Sequence, residues 1–449
     1  MNIQQLYDIY QKHPVITTDS RDCPEGSIFF ALKGASFDGN QFAVKALESG
    51  CAYAVIDDHQ VAESHPTLVE SGKLILADDV LQTFKDLARE HRRQFDIPVI
   101  GITGTNGKTT TKELIASVLG ERYNVLYTQG NFNNDVGVPK TLFRLSKEHE
   151  IAVIEMGASH PGDIKTLVET AEPTCGLITN VGKAHLQGFG SFEGVVKTKG
   201  ELYDFLGQEE GRVIFINANN EHLVNILPEQ AWVTPYSSNP DDTEGCVVGE
   251  VVSCAPFLKF RWRESDIDLE ERGAAVEWHD VQTQLIGAYN LDNALAAITV
   301  GLYFSIAPSK ICHALENYKP SNNRSQLTTT PHNHLVVDAY NANPTSMEAA
   351  LRNFRMMEVS PKMAILGEMR ELGESSVSEH AKLISMLDES HFDQVWLVGE
   401  EFASIECRYR KFHDVTEVKE ALKACRPEGY YILIKGSNGN RLFELPESL

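Results

Sequence analysis

The residues of this chain whose types and spacing best suit chemistry lie at positions 103–113, in the segment TGTNGKTTTKE. Gly107, Lys108 and Thr109 match the end of the phosphate-binding pattern G-x-x-x-x-G-K-[ST], whereas Ile102 stands where its first glycine is expected. In such a loop, backbone N–H groups point at phosphate oxygens, the lysine reaches the β- and γ-phosphates, and the threonine hydroxyl is offered to Mg²⁺. The predicted nucleotide-binding residues of the loop are Gly104, Thr105, Asn106, Gly107, Lys108, Thr109 and Thr110.

The sequence around this loop favours phosphate binding over the alternative, a glycine-rich turn that binds nothing. The apolar run PVIGIT predicts a buried strand immediately before the loop. After the loop, apolar residues recur at helical spacing: Leu114, Ile115, Val118 and Leu119. A strand, the loop and then a helix form the structural context in which such a motif binds phosphate.

Two later apolar runs also end in polar residues. The run IAVIEMG reaches Glu155, and GLITNVGKAH reaches His185. Ligands of an open parallel sheet bind outside the carboxyl ends of its strands, so both side chains are expected near the γ-phosphate. There they could bind a second Mg²⁺, or one of them could act as a base. Taken singly, a strand-end glutamate is more often a salt-bridge partner and a loop histidine is more often solvated. By its position alone, Lys199 is expected on the solvated surface.

The composition excludes several classes of protein. The formal net charge of −23 argues against a nucleic-acid-binding face, which would be basic. The eight cysteines are scattered without a CxxC pair, a spacing that fits neither a zinc site nor a disulfide framework. No apolar run approaches the length of a membrane helix, and the N-terminus lacks a signal-peptide layout. We therefore expect a cytoplasmic protein without membrane insertion and without a nucleic-acid partner.

Length and strand pattern together predict three α/β domains. A chain of 449 residues has room for about three. Strand-like runs lie between helical stretches near the N-terminus, strands and helices alternate in the middle, and a Pro-, Ser- and Asn-rich break, YKPSNNRSQ, precedes a further α/β unit. Short apolar strands between helices are typical of parallel sheets that are buried on both faces. The predicted domains are residues 1–97, 98–318 and 319–449.

Four segments in this order, TGTNGKTTTKE, EMG, TNVGKAH and KGE, resemble the Mur ligase superfamily. Its compact loop has the form T-G-[ST]-x-G-K-[ST], which accounts for the missing glycine. The segment TDSRDCPEGSIFFALKG resembles the N-terminal uridine-nucleotide module of that family, and GNFNNDVGVP and GAYNLDN resemble two of its asparagine-rich segments. DAYNANPTSM and LGEMRELGE narrow the resemblance to the branch that joins D-alanyl-D-alanine to UDP-N-acetylmuramoyl-tripeptide.

This resemblance, which covers essentially the whole chain, implies a fold and a reaction. The implied α/β fold has an N-terminal uridine-nucleotide-binding module, a central P-loop ATPase-like parallel sheet and a C-terminal dinucleotide-fold-like domain. In the implied reaction, ATP phosphorylates the terminal carboxylate of the tripeptide, and the amine of the dipeptide then attacks the acyl phosphate to give a peptidoglycan precursor. The implied catalytic residues are Lys108, Glu155, His185 and Lys199.

The resemblance also implies ligands for the metal and for the substrates. Thr109, Glu155, His185 and Lys199 would hold Mg²⁺, with two ions expected. Lys199 would first react with CO₂ to give a carbamate, which requires a neutral amine and hence a depressed pKa. The remaining implied roles are adenine binding by Asn290 and Asn293, phosphate binding by Arg324, ribose binding by Asp338, uridine-nucleotide binding by Ser20 and Arg21, and a place in the substrate cleft for Asn133 and Asn134.

Four positions depart from the family pattern. Tyr289 and Asn40 stand where histidine is common, Glu368 stands where aspartate is common, and Asn438 stands where a basic residue is usual. Three rival functions are a relative that adds a single amino acid, an inactive uridine-nucleotide-binding regulator and a simple P-loop kinase. We expect a monomer, and the sequence leaves open whether the third residue of the tripeptide is lysine or diaminopimelate.

Overall fold

The computed structural model describes residues 1–242, 247–264, 277–320 and 326–449. The chain forms two compact units, and the first of them gathers three separate stretches of sequence. It contains Met1–Ile97, Asn131–His149 and Thr166–Glu172, whereas the second unit contains Pro98–Gly130, Glu150–Lys165 and Pro173–Leu449. The predicted boundaries at residues 97/98 and 318/319 stay a prediction.

The first unit is built on a four-stranded parallel sheet. Its strands lie in the order Ile16–Thr17, Ile28–Phe30, Tyr53–Ile56 and Leu74–Leu76, and Lys33–Gly34 pairs with Phe37–Asp38 in a separate antiparallel ribbon. Asn2 and Asp79 cap the two longest helices that pack on the sheet, because their side-chain oxygens accept hydrogen bonds from the first-turn N–H groups. The helices of this unit are Ile3–Lys12, Ala43–Glu48, His59–Ser64, Pro66–Glu70, Val80–Arg92 and Gly137–Leu142, with a 3-10 turn at Gly39–Phe42.

The second unit contains a nine-stranded sheet that carries the phosphate loop. The strand order is His279–Ile286, Phe257–Glu264, Val247–Cys254, Trp232–Ser237, Val213–Asn217, Cys175–Ile178, Val99–Thr103, Ile151–Glu155 and Val125–Tyr127. All neighbouring pairs are parallel except the two that involve Phe257–Glu264. The four strands expected from their apolar runs are confirmed, and the carboxyl ends of three of them meet beside the loop.

The prediction that strands and helices alternate through residue 318 is wrong for residues 247–264 and 277–286. The strands described there form an antiparallel meander instead. In Phe257–Glu264 the buried positions largely alternate, and Leu258, Phe260 and Trp262 enter the core that includes helix Asn290–Tyr303. Such alternation is typical of an antiparallel strand with one solvated face, whereas parallel strands are buried on both faces.

A six-stranded sheet follows, and with its helices (residues 326–449) we call it the C-terminal sheet domain. Its strand order is Gln326–Thr329, His334–Asp338, Tyr431–Lys435, Lys362–Gly367, Gln394–Val398 and Arg410–Phe412. Only the first pair is antiparallel. Separate apolar clusters cover its two faces, so that its central strands are buried on both sides. The predicted α/β class with parallel sheets is confirmed.

The remaining helices begin in the second unit. They are Lys108–Leu119, Asp163–Ala171 (which continues into the first unit), Leu186–Phe189, Phe192–Leu206, Glu221–Val224, Asn290–Tyr303, Pro308–Asn317, Pro344–Met356, Ser376–Ser390 and Val415–Ala424, with 3-10 turns at Gly373–Ser375, Glu400–Phe402, Asn438–Asn440 and Leu442–Ser448. Within the described ranges, no helix combines the length and apolar character needed to cross a membrane.

Two tryptophans of the nine-stranded sheet can test where the core lies. Trp262 is 0% exposed within the central core, whereas Trp232, on a strand of the same sheet, is 57% exposed. We expect Trp262→Ala to lower the free energy of unfolding by about 3–5 kcal/mol, because it removes buried apolar surface and leaves a cavity. Urea denaturation should show this loss, while the control Trp232→Ala changes the stability by less than about 0.5 kcal/mol. Equal losses in the two variants would contradict this account of the core.

Candidate active site

The phosphate loop turns sharply between a buried strand and the helix that begins at Lys108. Gly104 and Gly107 both have positive φ, +143° and +80°, a conformation that residues with a Cβ rarely adopt. A Cβ at Gly104 would collide with Thr179, and one at Gly107 would lie 2.6 Å from Asn293 Oδ1. Ile102, where the longer pattern has glycine, is a fully buried strand residue of the core. The compact loop therefore needs its two later glycines and can accept isoleucine before them.

The loop is held by the segment that follows the neighbouring strand Cys175–Ile178. Thr105 N donates to Asn180 O (2.9 Å), and Asn106 N donates to Asn180 Oδ1 (3.0 Å). Thr179 Oγ1 donates to Asn106 O (2.6 Å), and Gly182 N donates to Thr105 Oγ1 (2.9 Å). These two loop N–H groups were expected to face phosphate, but they bond to Asn180 instead. The N–H groups of the first helical turn, at the positive end of the helix dipole, are the better phosphate donors.

Lys108 and Thr109 point to different sides of the loop. Lys108 Nζ donates to Gly104 O (2.8 Å) and to Thr105 O (3.1 Å), so the side chain curls back over the loop. Thr109 Oγ1 is 3.1 Å and 3.0 Å from the two carboxylate oxygens of Glu155, and both residues are buried. The structure thus brings together the hydroxyl and the carboxylate that were predicted as metal ligands.

Glu155 also faces a lysine that the sequence interpretation overlooked. Lys112 Nζ lies 3.8 Å from Glu155 Oε2 and 3.6 Å from Glu113 Oε1, and Lys112 is fully buried. A buried carboxylate is costly unless hydrogen bonds or an opposite charge compensate it, and Glu155 has both. The spacing offered a signal, since Lys112 follows Thr109 by three residues and shares its helix face.

His185 adopts the left-handed conformation, φ +49°, immediately before helix Leu186–Phe189. Its Nδ1 contacts the carboxylate of Glu371, which comes from the C-terminal sheet domain. Burial lowers the pKa of His185, and the nearby charges of Lys108 and Lys199 lower that pKa further, although Glu371 opposes them. The imidazole therefore tends to be neutral, the form that can bind a metal.

The expectation of a solvated Lys199 is wrong, because this residue of helix Phe192–Leu206 is only 3% exposed. Its Nζ lies 5.5 Å from the ring centroid of Phe189. Among the residues that the structure describes, no hydrogen bond or ion pair engages this nitrogen. Burial, and after it the charge of Lys108, holds the pKa of Lys199 well below its usual range. The side chain thus favours the neutral, nucleophilic amine.

Asn290 and Asn293 lie in a buried chain of hydrogen bonds beside the loop. Asn290 Nδ2 donates to Ile286 O (2.8 Å), Asn293 Nδ2 donates to Asn290 Oδ1 (2.8 Å), and Thr111 Oγ1 donates to Asn293 Oδ1 (3.0 Å). The adjacent Tyr289, which replaces the more common histidine, is exposed. The adenine contacts of the two asparagines stay a prediction. The structure shows that the two side chains lie beside the phosphate loop.

In the C-terminal sheet domain, Asp338 ends a strand and pairs with Lys435, whose buried Nζ lies 2.6 Å from Asp338 Oδ2. Glu368, also buried, accepts hydrogen bonds from Arg370 Nε (3.2 Å) and Glu401 N (3.2 Å). Asn438 is exposed at the start of a 3-10 turn. Arg324 lies outside the described residues, so its phosphate contact stays a prediction.

The four residues predicted to bind the uridine substrate lie in the first unit. Arg21 is largely exposed, and its Nε and NH2 donate to the carboxylate of Asp19 at 2.9 Å and 2.7 Å. Ser20 O lies 3.6 Å from the thiol sulfur of Cys23. Asn134 Oδ1 accepts a hydrogen bond from Gly137 N (2.8 Å), and Asn133 N donates to Asn131 O (2.8 Å).

Asn40, at one of the departures from the pattern, is buried rather than turned towards a ligand. Its Nδ2 donates to Asp38 and to Asp57, each at 2.8 Å, and its Oδ1 accepts from Asp57 N (3.0 Å). Lys33 Nζ completes this network at 2.8 Å from Asp57. Asparagine at this position therefore stabilises the turn around the ribbon Lys33–Asp38.

Three family models match the chain in succession. They are described as Mur ligase family, catalytic domain (residues 14–92), Mur ligase middle domain (102–301) and Mur ligase, glutamate ligase domain (323–438). The chain is 33% identical to the UDP-N-acetylmuramoyl-tripeptide–D-alanyl-D-alanine ligase of Bacillus subtilis (strain 168), over 97% of this chain and 92% of the relative. The chain belongs to the Mur ligase family.

Further relatives and solved structures agree with this membership. The ligase of the same name from Escherichia coli (strain K12) is 33% identical over 97% of this chain and 93% of its own. A crystal structure of MurF from Acinetobacter baumannii superposes with a TM-score of 0.86 at 27% identity, covering 100% of this chain and 98% of that one. MurF ligase from Thermotoga maritima in complex with ADP gives a TM-score of 0.83 at 26% identity, with 97% and 96% covered.

The donor set of this Mur ligase fits magnesium that arrives with a nucleotide. In the ranges that the structure describes, no group of three or more His, Cys, Asp or Glu side chains is arranged to hold a metal. Thr109 and Glu155 do supply oxygen donors next to the helix start where phosphate would bind. Mg²⁺ typically takes one or two carboxylates together with substrate phosphates and waters, and Glu155 supplies one such carboxylate beside the loop.

The crowding at Gly107 gives a test of the loop. We expect Gly107→Ala to weaken ATP binding at least about fivefold, because its Cβ meets the buried, hydrogen-bonded Asn293 and about 1–3 kcal/mol of strain results. Gly211→Ala is the matched control, since Gly211 has a similar φ of +88° with no atom within 4 Å of its Cβ position. Calorimetric titration with ATP should separate the two variants, and equal affinities would contradict the crowding argument.

Proposed function

We propose that this chain is the ATP-dependent ligase that joins D-alanyl-D-alanine to UDP-N-acetylmuramoyl-tripeptide, forming the pentapeptide precursor of peptidoglycan. The proposal rests chiefly on one observation, the contact of Thr109 with Glu155 beside a phosphate loop whose Lys108 charge helps to lower the pKa of His185 and of Lys199. It is supported by the relatives named for this reaction, which match nearly the whole chain.

In the first step, the γ-phosphoryl group of ATP passes to the terminal carboxylate of the tripeptide, because a carboxylate is a poor electrophile until its oxygen becomes a leaving group. Lys108 leaves its carbonyl partners to contact the phosphates, and Thr109 and Glu155 would hold the metal when it is bound. Mg²⁺ held there would neutralise charge on the transferring phosphoryl group. Helix Lys108–Leu119 adds the positive end of its dipole.

In the second step, the free amine of the dipeptide attacks the acyl phosphate, and the tetrahedral intermediate collapses to an amide and inorganic phosphate. We propose that Asp338 contacts the ribose, that Arg324 contacts phosphate, and that Asn290 and Asn293 border the adenine. Ser20, Arg21, Asn133 and Asn134 are assigned to the uridine-nucleotide substrate. Water must be kept from the acyl phosphate, which otherwise hydrolyses.

Lys199 is proposed to carry a carbamate, formed when its neutral amine adds to CO₂ and releases one proton. The burial of the side chain and the depressed pKa supply the neutral amine that this addition needs. The product is an anion on a long arm, which together with His185 would supply donors for a second Mg²⁺. We also propose that the enzyme acts as a cytoplasmic monomer, and light scattering would reveal a larger assembly.

The carbamate can be tested by substitution and chemical rescue. We expect Lys199→Ala to lower turnover by about a hundredfold or more, because a preorganised charge is lost. Formate or acetate should restore part of the activity by supplying a carboxylate. Lys197→Ala, two residues earlier on the same helix at an exposed position, should behave as the wild type. Full activity of Lys199→Ala, or a loss that small carboxylates never relieve, would count against the carbamate.

The overall reaction is tested by phosphate release from ATP in the presence of UDP-N-acetylmuramoyl-tripeptide. We expect release to depend on D-alanyl-D-alanine and to accompany the mass gain of a pentapeptide product. Release with a single amino acid but not with the dipeptide would assign the chain to a sibling ligase. Uridine-nucleotide binding without turnover would favour a regulator, and phosphorylation without amide formation would favour a kinase.

A further inference from the structure

The segment DAYNANPTSM touches the phosphate loop directly. Asn343 Nδ2 donates to Asn106 Oδ1 at 2.8 Å, and Asn106 Nδ2 lies 3.4 Å from Asn343 Oδ1. Asn106 belongs to the loop, whereas Asn343 precedes helix Pro344–Met356 of the C-terminal sheet domain. The two side-chain amides therefore form a reciprocal pair between the domain and the loop.

The orientation of the Asn343 amide is fixed because the same side chain caps helix Pro344–Met356. Its Oδ1 accepts a hydrogen bond from Ser346 N (2.9 Å), and Asn343 N donates to Ser346 Oγ (3.1 Å), which together form a capping box. Because the cap requires the oxygen to face the helix, the NH₂ group must face Asn106. The cap of helix Pro344–Met356 therefore directs the Nδ2 donor of Asn343 towards the phosphate loop.

A second contact lies two residues further on. Thr345 Oγ1 accepts a hydrogen bond from Lys183 N (3.2 Å), and a Cβ at Gly182 would lie 2.8 Å from that hydroxyl oxygen. Lys183 Nζ also lies 3.3 Å from Glu379 Oε1 on the next helix of the domain. Gly182 is in turn bonded to Thr105 of the loop (2.9 Å). Asn343 and Thr345 therefore contact one surface that the loop and residues 180–183 form together.

We propose that Asn343 and Thr345 are positioning residues that couple docking of the C-terminal sheet domain to the conformation of the phosphate loop. A nucleotide that favours the loop conformation hydrogen-bonded to Asn343 then strengthens the docking of the C-terminal sheet domain. Docking of the domain strengthens nucleotide binding by the same factor. The proposal rests on the proposed function only in taking ATP as the ligand of the loop. The proposal assigns to the segment DAYNANPTSM a contact with the phosphate loop, which is separate from any contact that the segment makes with the amine substrate.

The test uses Asn343→Ser, because serine keeps the helix cap but is too short to reach Asn106. We expect ADP and a non-hydrolysable ATP analogue to bind about threefold to tenfold more weakly by calorimetry, which corresponds to the loss of one intramolecular hydrogen bond. Hydrogen exchange at the loop amides should rise in the same variant. Asn220→Ser is the matched control, since Asn220 caps helix Glu221–Val224 through a bond to Leu223 N.

A double-mutant cycle separates coupling from a general loss of structure. Asn106→Ala should weaken nucleotide binding as Asn343→Ser does, and the double variant should be no weaker than either single one. Thr345→Val, which keeps the side-chain shape but removes the acceptor for Lys183 N, should give a smaller loss in the same direction. Additive losses, or wild-type affinity in Asn343→Ser with an unchanged unfolding midpoint, would overturn the coupling. Failure of the wild type to bind adenine nucleotides would instead reject the proposed function.

Discussion

The hydrogen bonds between the phosphate loop and the segment after strand Cys175–Ile178 are the constraint on which the rest of the site depends. They fix the backbone of Thr105 and Asn106 against Asn180, and they require a close approach that leaves no room for a Cβ at Gly104. Once the loop is held there, the helix must begin at Lys108, and Thr109 must face the strand that ends in Glu155. The same segment continues into His185, so one connection positions both the phosphate donors and the imidazole.

Two buried lysines of this chain have different electrostatic surroundings. Lys112 Nζ has the carboxylates of Glu113 and Glu155 within 4 Å, so the cost of its burial is compensated by opposite charges. Lys199 is also buried, but within the described part of the chain no carboxylate pairs with it, and its pKa falls chiefly because of burial and secondarily because of the like charge of Lys108. The first lysine therefore suits a structural role beside a carboxylate, and the second suits chemistry that needs a free amine.

The sequence predicted those parts of the molecule that depend on local pattern. Strands that are buried on both faces appear as apolar runs, and Glu155 ends one of these strands beside Thr109. Features that depend on tertiary packing were not predictable: the burial of Lys199, the use of the Asn106 N–H by Asn180, and the contact between Asn343 and the loop. The antiparallel strand Phe257–Glu264 was predictable but missed, because Leu258, Phe260 and Trp262 alternate with charged residues in the sequence.

Asparagine side chains from three separate segments surround the loop, and their chemistry explains why this residue type recurs. Asn180 both accepts from and donates to the backbone of Asn106, Asn343 donates to the loop while it caps a helix, and Asn293 accepts from Thr111 while it donates to Asn290. A short amide carries a donor and an acceptor at a fixed spacing, so a single side chain can satisfy two partners in a buried place. In place of asparagine, aspartate would lack the N–H donor, and serine would be too short to reach the same partners. The amide of Asn293 thus links helix Lys108–Leu119 to helix Asn290–Tyr303, and its oxygen lies against Gly107 of the loop.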